Sequence, residues 1–173
     1  APVIPDLPFA GGLVGVAGYD LVRYFERLPN APQSSNNPVA PEAAYLAAES
    51  LLVFDHLTRR IALLHAGTED ERKKLRGRVI ELLRGALPPA PPKGSHTPAT
   101  QSLSGEEFMR AVADSKGSIA KGDVYQLVLS VQFTGRHTLS PFETYRALRL
   151  LNPSPYMFFV DLGDIQLAGS SPE

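Results

Sequence analysis

The chain has 173 residues, with 17 Lys or Arg against 18 Asp or Glu and a formal net charge of −1. This near-neutral balance argues against a nucleic-acid-binding surface or a basic membrane-surface helix, because both need clustered positive charge. The chain contains no cysteine, which excludes disulfides, thiol catalysis and cysteine-ligated metals.

The sequence favours a soluble, cytoplasmic protein. No apolar run approaches the roughly 20 residues of a membrane span, and no basic segment followed by an apolar stretch marks a signal peptide at the start. The chain begins with Ala1 and Pro2 rather than Met, and it stops at Glu173 directly after a strand-like run. We therefore expect an internal fragment of a longer protein.

The first predicted element is a strand over Leu13 to Tyr19, in a glycine-rich segment. Gly12, Gly15 and Gly18 recur every three residues, no strand precedes them, and no phosphate-binding helix follows. The segment therefore does not match a dinucleotide fingerprint. We interpret it as close backbone packing along a strand. A proline-bearing polar stretch then predicts a mobile loop over 29–41.

Three predicted helix starts share a hydroxyl residue followed three positions later by Glu, which is a capping box. The pairs are Thr68 with Glu71, Ser104 with Glu107, and Ser140 with Glu143. The first helix should run to Leu87 and the second should stop near Gly122. The third should begin at Pro141 and bury Phe142, Tyr145 and Leu148.

Further strands are predicted by runs of β-branched, aromatic and alternating apolar residues. They cover Ser50 to Asp55, Ile61 to His65, Val124 to Phe133, Tyr156 to Asp161, and Ile165 to Ala168. Because strands occur both next to each other and between helices, the pattern favours an α+β fold. Five prolines between Pro88 and Pro98 predict a linker or long loop over 88–103, between parts 1–87 and 104–173.

The strand from Val124 to Phe133 has two different faces. The period of two places Tyr125 and the other large apolar residues on one face, which we expect to lie in the core. Gln126, Val128, Ser130 and Gln132 form the other face. The amides and hydroxyl either point to water or line a polar cavity for an oxygen-rich ligand, and the period does not decide between the two.

Two prolines flank Ser154 directly before an aromatic strand. The segment from Asn152 to Phe159 predicts either a rigid turn before a buried strand or a pre-organised pocket edge for a flat ligand. The segment from Gly169 to Glu173 is not a nucleophile elbow, since Glu173 stands where the second glycine belongs.

Several segments in this order resemble the chorismate-utilising enzyme family, and within it the large subunits (component I) of anthranilate synthases. They are Gly11 to Gly15 with Gly18 to Asp20, Leu52 to His56, Gly122 to Ser130, Asn152 to Phe158, and Gly169 to Glu173. The resemblance implies a large α+β sandwich of two facing sheets with outer helices. This chain would hold part of each sheet.

The resemblance also implies a lyase reaction in tryptophan biosynthesis. Family members need Mg²⁺, and anthranilate synthase adds ammonia to chorismate and eliminates pyruvate. The ammonia comes from a glutamine amidotransferase subunit, component II. Lysine activates water at the position of Gln126 in water-adding members, so a neutral amide fits ammonia, which needs no deprotonation before it attacks.

The remaining site residues come from the same resemblance. Asn152, Pro153, Pro155, Tyr156 and Met157 match the segment that binds L-tryptophan in feedback-inhibited members. Ser130, Gly169 and Ser170 would lie near the substrate. The metal ligands and the main catalytic residues of the family match nothing in the chain, so we expect these 173 residues alone to be inactive.

Two alternative functions remain open from the sequence. One is aminodeoxychorismate synthase, which places the amine at a different ring carbon on the route to folate. The other is a non-catalytic regulatory domain that binds an aromatic amino acid.

Overall fold

The computed structural model describes residues 7–29 and 41–173. Its strands are β1 (Leu13–Ala17), β2 (Ala43–Ala47), β3 (Ser50–Asp55), β4 (Arg60–His65), β5 (Thr100–Gln101), β6 (Phe133–Thr134), β7 (Tyr156–Asp161) and β8 (Gln166–Ser171). A 3₁₀-helix spans Tyr19–Tyr24, and the α-helices are α1 (Glu69–Arg84), α2 (Gly105–Lys121) and α3 (Pro141–Leu151). The predicted mobile loop lies, apart from its end residues, outside the described residues.

The strands form four antiparallel pairs, β1 with β2, β3 with β4, β5 with β6 and β7 with β8. Antiparallel pairs mixed with helices confirm the predicted α+β class. The described strands form separate two-stranded sheets. The two facing sheets that the resemblance implies stay a prediction.

The described chain divides into two compact units. One unit takes in residues 7–29, 41–90 and 147–173, and the other takes in residues 91–146. The expected division into 1–87, 88–103 and 104–173 stays a prediction. The boundary near residue 90 falls in the proline-rich stretch.

The proline-rich stretch is a linker only in its first part. No helix or strand occurs over 85–95, whereas β5 lies further along the predicted linker and pairs with β6. Thr97 N–H donates to the Arg136 carbonyl (2.8 Å), and Ser102 N–H donates to the Gln132 carbonyl (2.8 Å). The end of the stretch is thus held by backbone hydrogen bonds.

Close backbone packing at Gly15 explains part of the glycine-rich segment. Gly15 faces Tyr45 across the β1–β2 pair. A Cβ at residue 15 would lie 2.0 Å from the Ala44 carbonyl oxygen, so a side chain has no room there. This confirms the packing interpretation at Gly15.

Capping boxes start α1 and α2 as predicted. The Glu71 carboxylate accepts the backbone N–H and hydroxyl of Thr68 (2.8 and 2.6 Å). The Glu107 carboxylate accepts the same two groups of Ser104 (2.8 and 2.7 Å). At α3 the box is half formed, because the Glu143 carboxylate bonds Arg146 instead (2.9 Å) while Ser140 Oγ accepts the Glu143 N–H.

The predicted strand from Val124 to Phe133 is wrong over most of its length. Only Phe133 belongs to a strand, since residues 124–132 have no ladder partner among the described residues. Tyr125 is 96% exposed and Phe133 62% exposed, so the expected core face is not covered. Alternating sequence indicates a strand, but the ladder forms only when a neighbouring backbone is present.

The predicted buried faces of the helices are likewise uncovered. None of the described residues is fully buried, and Phe142 on α3 is 50% exposed. Tyr145 and Leu148 are half-buried. On the first helix, which ends at Arg84 rather than Leu87, Leu82 is 71% exposed.

The capping boxes predict a sign for the acid dependence of stability. Hydrogen bonds from the Ser104 backbone and hydroxyl hold the pKa of Glu107 below its ordinary value of 4.5. A depressed folded-state pKa means that the stabilisation is complete above the unfolded value and is lost as pH falls through the folded value. We expect Glu107→Gln to lower the melting temperature at about pH 7 and to have little effect at about pH 2.5.

Thermal unfolding followed by circular dichroism measures this difference. Glu106→Gln is the matched control, since Glu106 lies in the same first turn of α2 and takes no part in the box. An equal change in melting temperature at both pH values would contradict the prediction.

Candidate functional site

The β7–β8 hairpin brings two of the sequence motifs together. The segment from Asn152 to Met157 leads into β7, and Gly169 and Ser170 lie on β8. The register pairs Met157 with Ser170 and Phe158 with Gly169. The predicted tryptophan-binding segment and part of the predicted substrate-proximal set are therefore cross-strand neighbours in one unit.

Two serine hydroxyls fasten the turn before β7 to the end of β8. Ser154 Oγ donates to the Ser171 carbonyl (2.5 Å), and Ser170 Oγ donates to the Asn152 carbonyl (2.6 Å). Asn152 N–H donates to the Leu148 carbonyl at the end of α3 (2.9 Å). Helix end, turn and β8 form one continuous hydrogen-bonded path.

The faces of the hairpin divide the predicted tryptophan-binding residues. Side chains alternate along a strand, and cross-strand partners share a face. Met157 therefore shares its face with Ser170, while Tyr156 shares the opposite face with Ser171. Met157 is half-buried and Tyr156 is 61% exposed, so the hairpin alone does not present both to one ligand.

Gly169 has a structural reason to lack a side chain. A Cβ there would lie 2.2 Å from Cζ of Phe158, its cross-strand partner. The Phe158 ring thus occupies the space over Gly169. Any substitution at Gly169 must displace this ring.

Gln126 follows a tight helix end at α2. Gly122 has φ 83°, and its N–H donates to the Ile119 carbonyl (3.0 Å) while Asp123 N–H donates to the Ser118 carbonyl (3.1 Å). This pair of bonds is a Schellman motif, which uses glycine for its left-handed residue. It sets the direction in which the chain leaves α2 towards Gln126.

Gln126 lies in a cleft of about 390 Å³ lined by Asp123, Val124, Tyr125, Gln126 and Val128. The Gln126 side chain is exposed, and so is Ser130 four residues further along. Gln126 and Ser130 belong to residues 91–146, whereas Gly169 and Ser170 belong to the other unit. The exposed amide of Gln126 forms a polar edge of this cleft.

A second groove, of about 500 Å³, lies beside Tyr24, Phe25 and Glu42. There the hydrogen bond from the Tyr24 hydroxyl to the Glu42 carboxylate raises the pKa of Tyr24. The candidate site combines neutral amide, hydroxyl and backbone groups with one carboxylate, that of Asp123 at the cleft.

The described residues do not supply a metal centre. Within 7–29 and 41–173, no three His, Asp or Glu side chains are grouped so that they could hold a metal ion. We therefore assign no step through Mg²⁺ to these residues.

No described helix is long and apolar enough to cross a membrane.

Ser154 is a residue that the sequence interpretation passed over. The signal in the sequence was the position of Ser154, a hydroxyl residue between Pro153 and Pro155. Proline lacks an N–H, so the turn depends on the groups that remain for its anchoring bonds. Its acceptor on β8 became visible only in the folded hairpin.

Comparison with known proteins gives consistent matches. The sequence pattern of the family described as chorismate binding enzyme matches residues 3–173. Anthranilate synthase component 1 of Thermus thermophilus is 40% identical over 173 positions, covering 98% of this chain and 37% of that protein. The protein of the same name from Streptomyces coelicolor is 40% identical over 190 positions, covering 100% of this chain and 37% of its own length.

A solved structure shows the same similarity. The crystal structure of anthranilate synthase component I from Streptococcus pneumoniae TIGR4 matches with a TM-score of 0.77 and 32% identity. The match covers 99% of this chain and 40% of that one. The chain spans about 37% of the length of the curated relatives named above.

Two glycines, Gly122 directly after α2 and Gly117 inside it, should respond in opposite directions to alanine. Gly122→Ala forces a Cβ into the left-handed region and should lower the free energy of unfolding by about 1–2 kcal/mol. Gly117→Ala, in the open middle of the same helix, should raise it by about 1 kcal/mol. Urea denaturation measures both, and destabilisation by Gly117→Ala equal to that by Gly122→Ala would contradict the Schellman assignment.

Proposed function

The chain belongs to the family of chorismate binding enzymes, and from this premise we propose that the whole protein is the large subunit of an anthranilate synthase. It would be a lyase that converts chorismate and ammonia into anthranilate, pyruvate and water in tryptophan biosynthesis. The observation that carries the proposal is the match of nearly the whole chain to relatives that bear this name. Because the chain spans about 37% of their length, the activity is proposed for the whole protein.

The cleft at Gln126 supports an amine-adding reaction. Water must lose a proton as it attacks, and a lysine base is suited to take it. Ammonia brings its own lone pair and needs only to be positioned. The neutral amide of Gln126 can donate and accept hydrogen bonds, so its proposed role is to position ammonia or the ring substituent that ammonia replaces.

The turn before β7 supports feedback control by L-tryptophan. Pro153 and Pro155 restrict the backbone, so this edge is ordered before a ligand arrives. Met157 adds a polarisable thioether, which packs favourably against an aromatic ring. We include Asn152 and Tyr156 in the proposed inhibitor site on the resemblance.

The other parts of the proposal rest on the family resemblance. An amidotransferase subunit would supply the ammonia, Mg²⁺ would support the chemistry on chorismate, and the enzyme would work in the cytoplasm. These three points stay predictions. Mg²⁺ would supply charge stabilisation for the carboxylates of the substrate when bound.

The activity proposal is tested by product formation. We expect the whole protein, given chorismate, Mg²⁺ and an ammonium salt, to form anthranilate, which is followed by its fluorescence. We expect the 173-residue chain alone to form none. Formation of aminodeoxychorismate instead would assign the protein to the folate route, and anthranilate formation by the 173-residue chain would contradict the need for residues outside it.

The role of Gln126 is tested by changing its charge. Gln126→Lys places an ammonium group where ammonia must bind, and we expect it to lower kcat/KM for anthranilate formation by at least about tenfold. Gln132→Lys introduces the same charge in the same unit outside the cleft and should lower kcat/KM by less than about twofold. Equal losses in both variants would remove the support for a specific role of Gln126.

A further inference from the structure

We infer that Ser154 is a positioning residue that couples the tryptophan-binding turn to the substrate-proximal end of β8. The inference rests on the proposed function, because it assigns the route by which an inhibitor on the turn would affect the substrate site. Its elements are the two hydrogen bonds from Ser154 Oγ to the Ser171 carbonyl and from Ser170 Oγ to the Asn152 carbonyl. We call this pair of bonds the hydroxyl clamp.

The turn has few other ways to hold its position. Pro153 and Pro155 have no backbone N–H to donate. Among the residues that the structure describes, the hydrogen bonds that tie the turn to its surroundings involve Asn152 and Ser154. The Asn152 N–H is used at the end of α3 and its carbonyl is used by Ser170.

The clamp crosses between strands whose functional residues are adjacent. Ser154 Oγ donates to Ser171, the residue next to Ser170, and Ser170 faces Met157 across the ladder. The bond from Ser154 to Ser171 is partly buried, so water competes less for it than it would at an open surface. The bond from Ser170 to Asn152 is exposed. A shift of the turn by a bound ligand must either carry the end of β8 with it or break a clamp bond.

The clamp is closed in this structure, and the coupling needs a second arrangement in which its bonds are broken. With the clamp closed, turn and strand end move together, and a ligand that prefers one position of the turn selects one position of Ser170. With the clamp open, each segment moves by itself. Coupling between two ligands is the factor by which one changes the affinity of the other, and it is reciprocal.

The test measures that factor in the whole enzyme. The dissociation constant of L-tryptophan is measured by calorimetry with and without saturating chorismate, in the absence of ammonia and amidotransferase so that anthranilate does not form. In the unaltered protein we expect chorismate to weaken tryptophan binding by at least about fivefold. In Ser154→Ala we expect this ratio to fall to within about twofold of one.

Ser115→Ala is the matched control. Ser115 Oγ also donates to a backbone carbonyl, that of Ala111 (2.7 Å), and is also half-buried. We expect Ser115→Ala to keep the ratio of the unaltered protein, and Ser154→Thr, which keeps a hydroxyl, to restore part of it. A lower melting temperature alone would not change the ratio, so this readout separates positioning from general stability.

Results other than the expected one overturn either the inference or the proposed function. An unchanged ratio in Ser154→Ala, or no tryptophan binding to the unaltered protein, overturns the inference. If Ser154→Ala does not fold, Ser170→Ala opens the second clamp bond, and an unchanged ratio there overturns the inference equally. Anthranilate formation by the unaltered protein is assayed separately with ammonium, so its failure would refute the proposed function rather than the clamp alone.

Discussion

The strands of this protein depend on antiparallel neighbours that accept and donate their backbone hydrogen bonds. Where the neighbour lies close along the chain, as for β3 with β4 and β7 with β8, the ladder is complete over six residue pairs. Where the described residues offer no neighbouring strand, as over 124–131, no strand forms. An unpaired backbone group gains nothing from strand geometry, so pairing decides which alternating sequences become strands.

Short-range polar bonds, rather than a buried core, hold the local structure that the proposed function uses. Thr68 and Ser104 close the capping boxes of α1 and α2, and Ser154 and Ser170 close the clamp on the β7–β8 hairpin. At the two helix starts a Glu carboxylate accepts the hydrogen bonds. At the hairpin a backbone carbonyl accepts a serine hydroxyl. The partners in each capping box are 3 residues apart. Ser154 and Ser171 in the hairpin are 17 residues apart, so their bond closes a longer loop.

The two proposed functional segments differ in how they are held. The inhibitor turn is fixed by prolines, by the end of α3 and by the hydroxyl clamp, so its geometry is largely set within its own unit. The segment after Gly122 receives its direction from the Schellman motif, but Tyr125 is 96% exposed and Val128 is 80% exposed. Aromatic and aliphatic side chains such as these stabilise a segment when they are buried. The cleft at Gln126 therefore has a defined starting point and little apolar packing along its length.

The sequence by itself determined the local features. The spacing of a hydroxyl residue and Glu located the starts of α1 and α2, and Gly122 located the end of α2. These signals act within a few residues. The bounds of β3 and β7 were predicted for the same reason. Motif order also carried the family membership. The tertiary structure alone decided that Met157 faces Ser170, that Ser154 bonds Ser171, and that residues 124–131 have no strand partner among the residues that the structure describes. These features depend on which distant backbone segments meet.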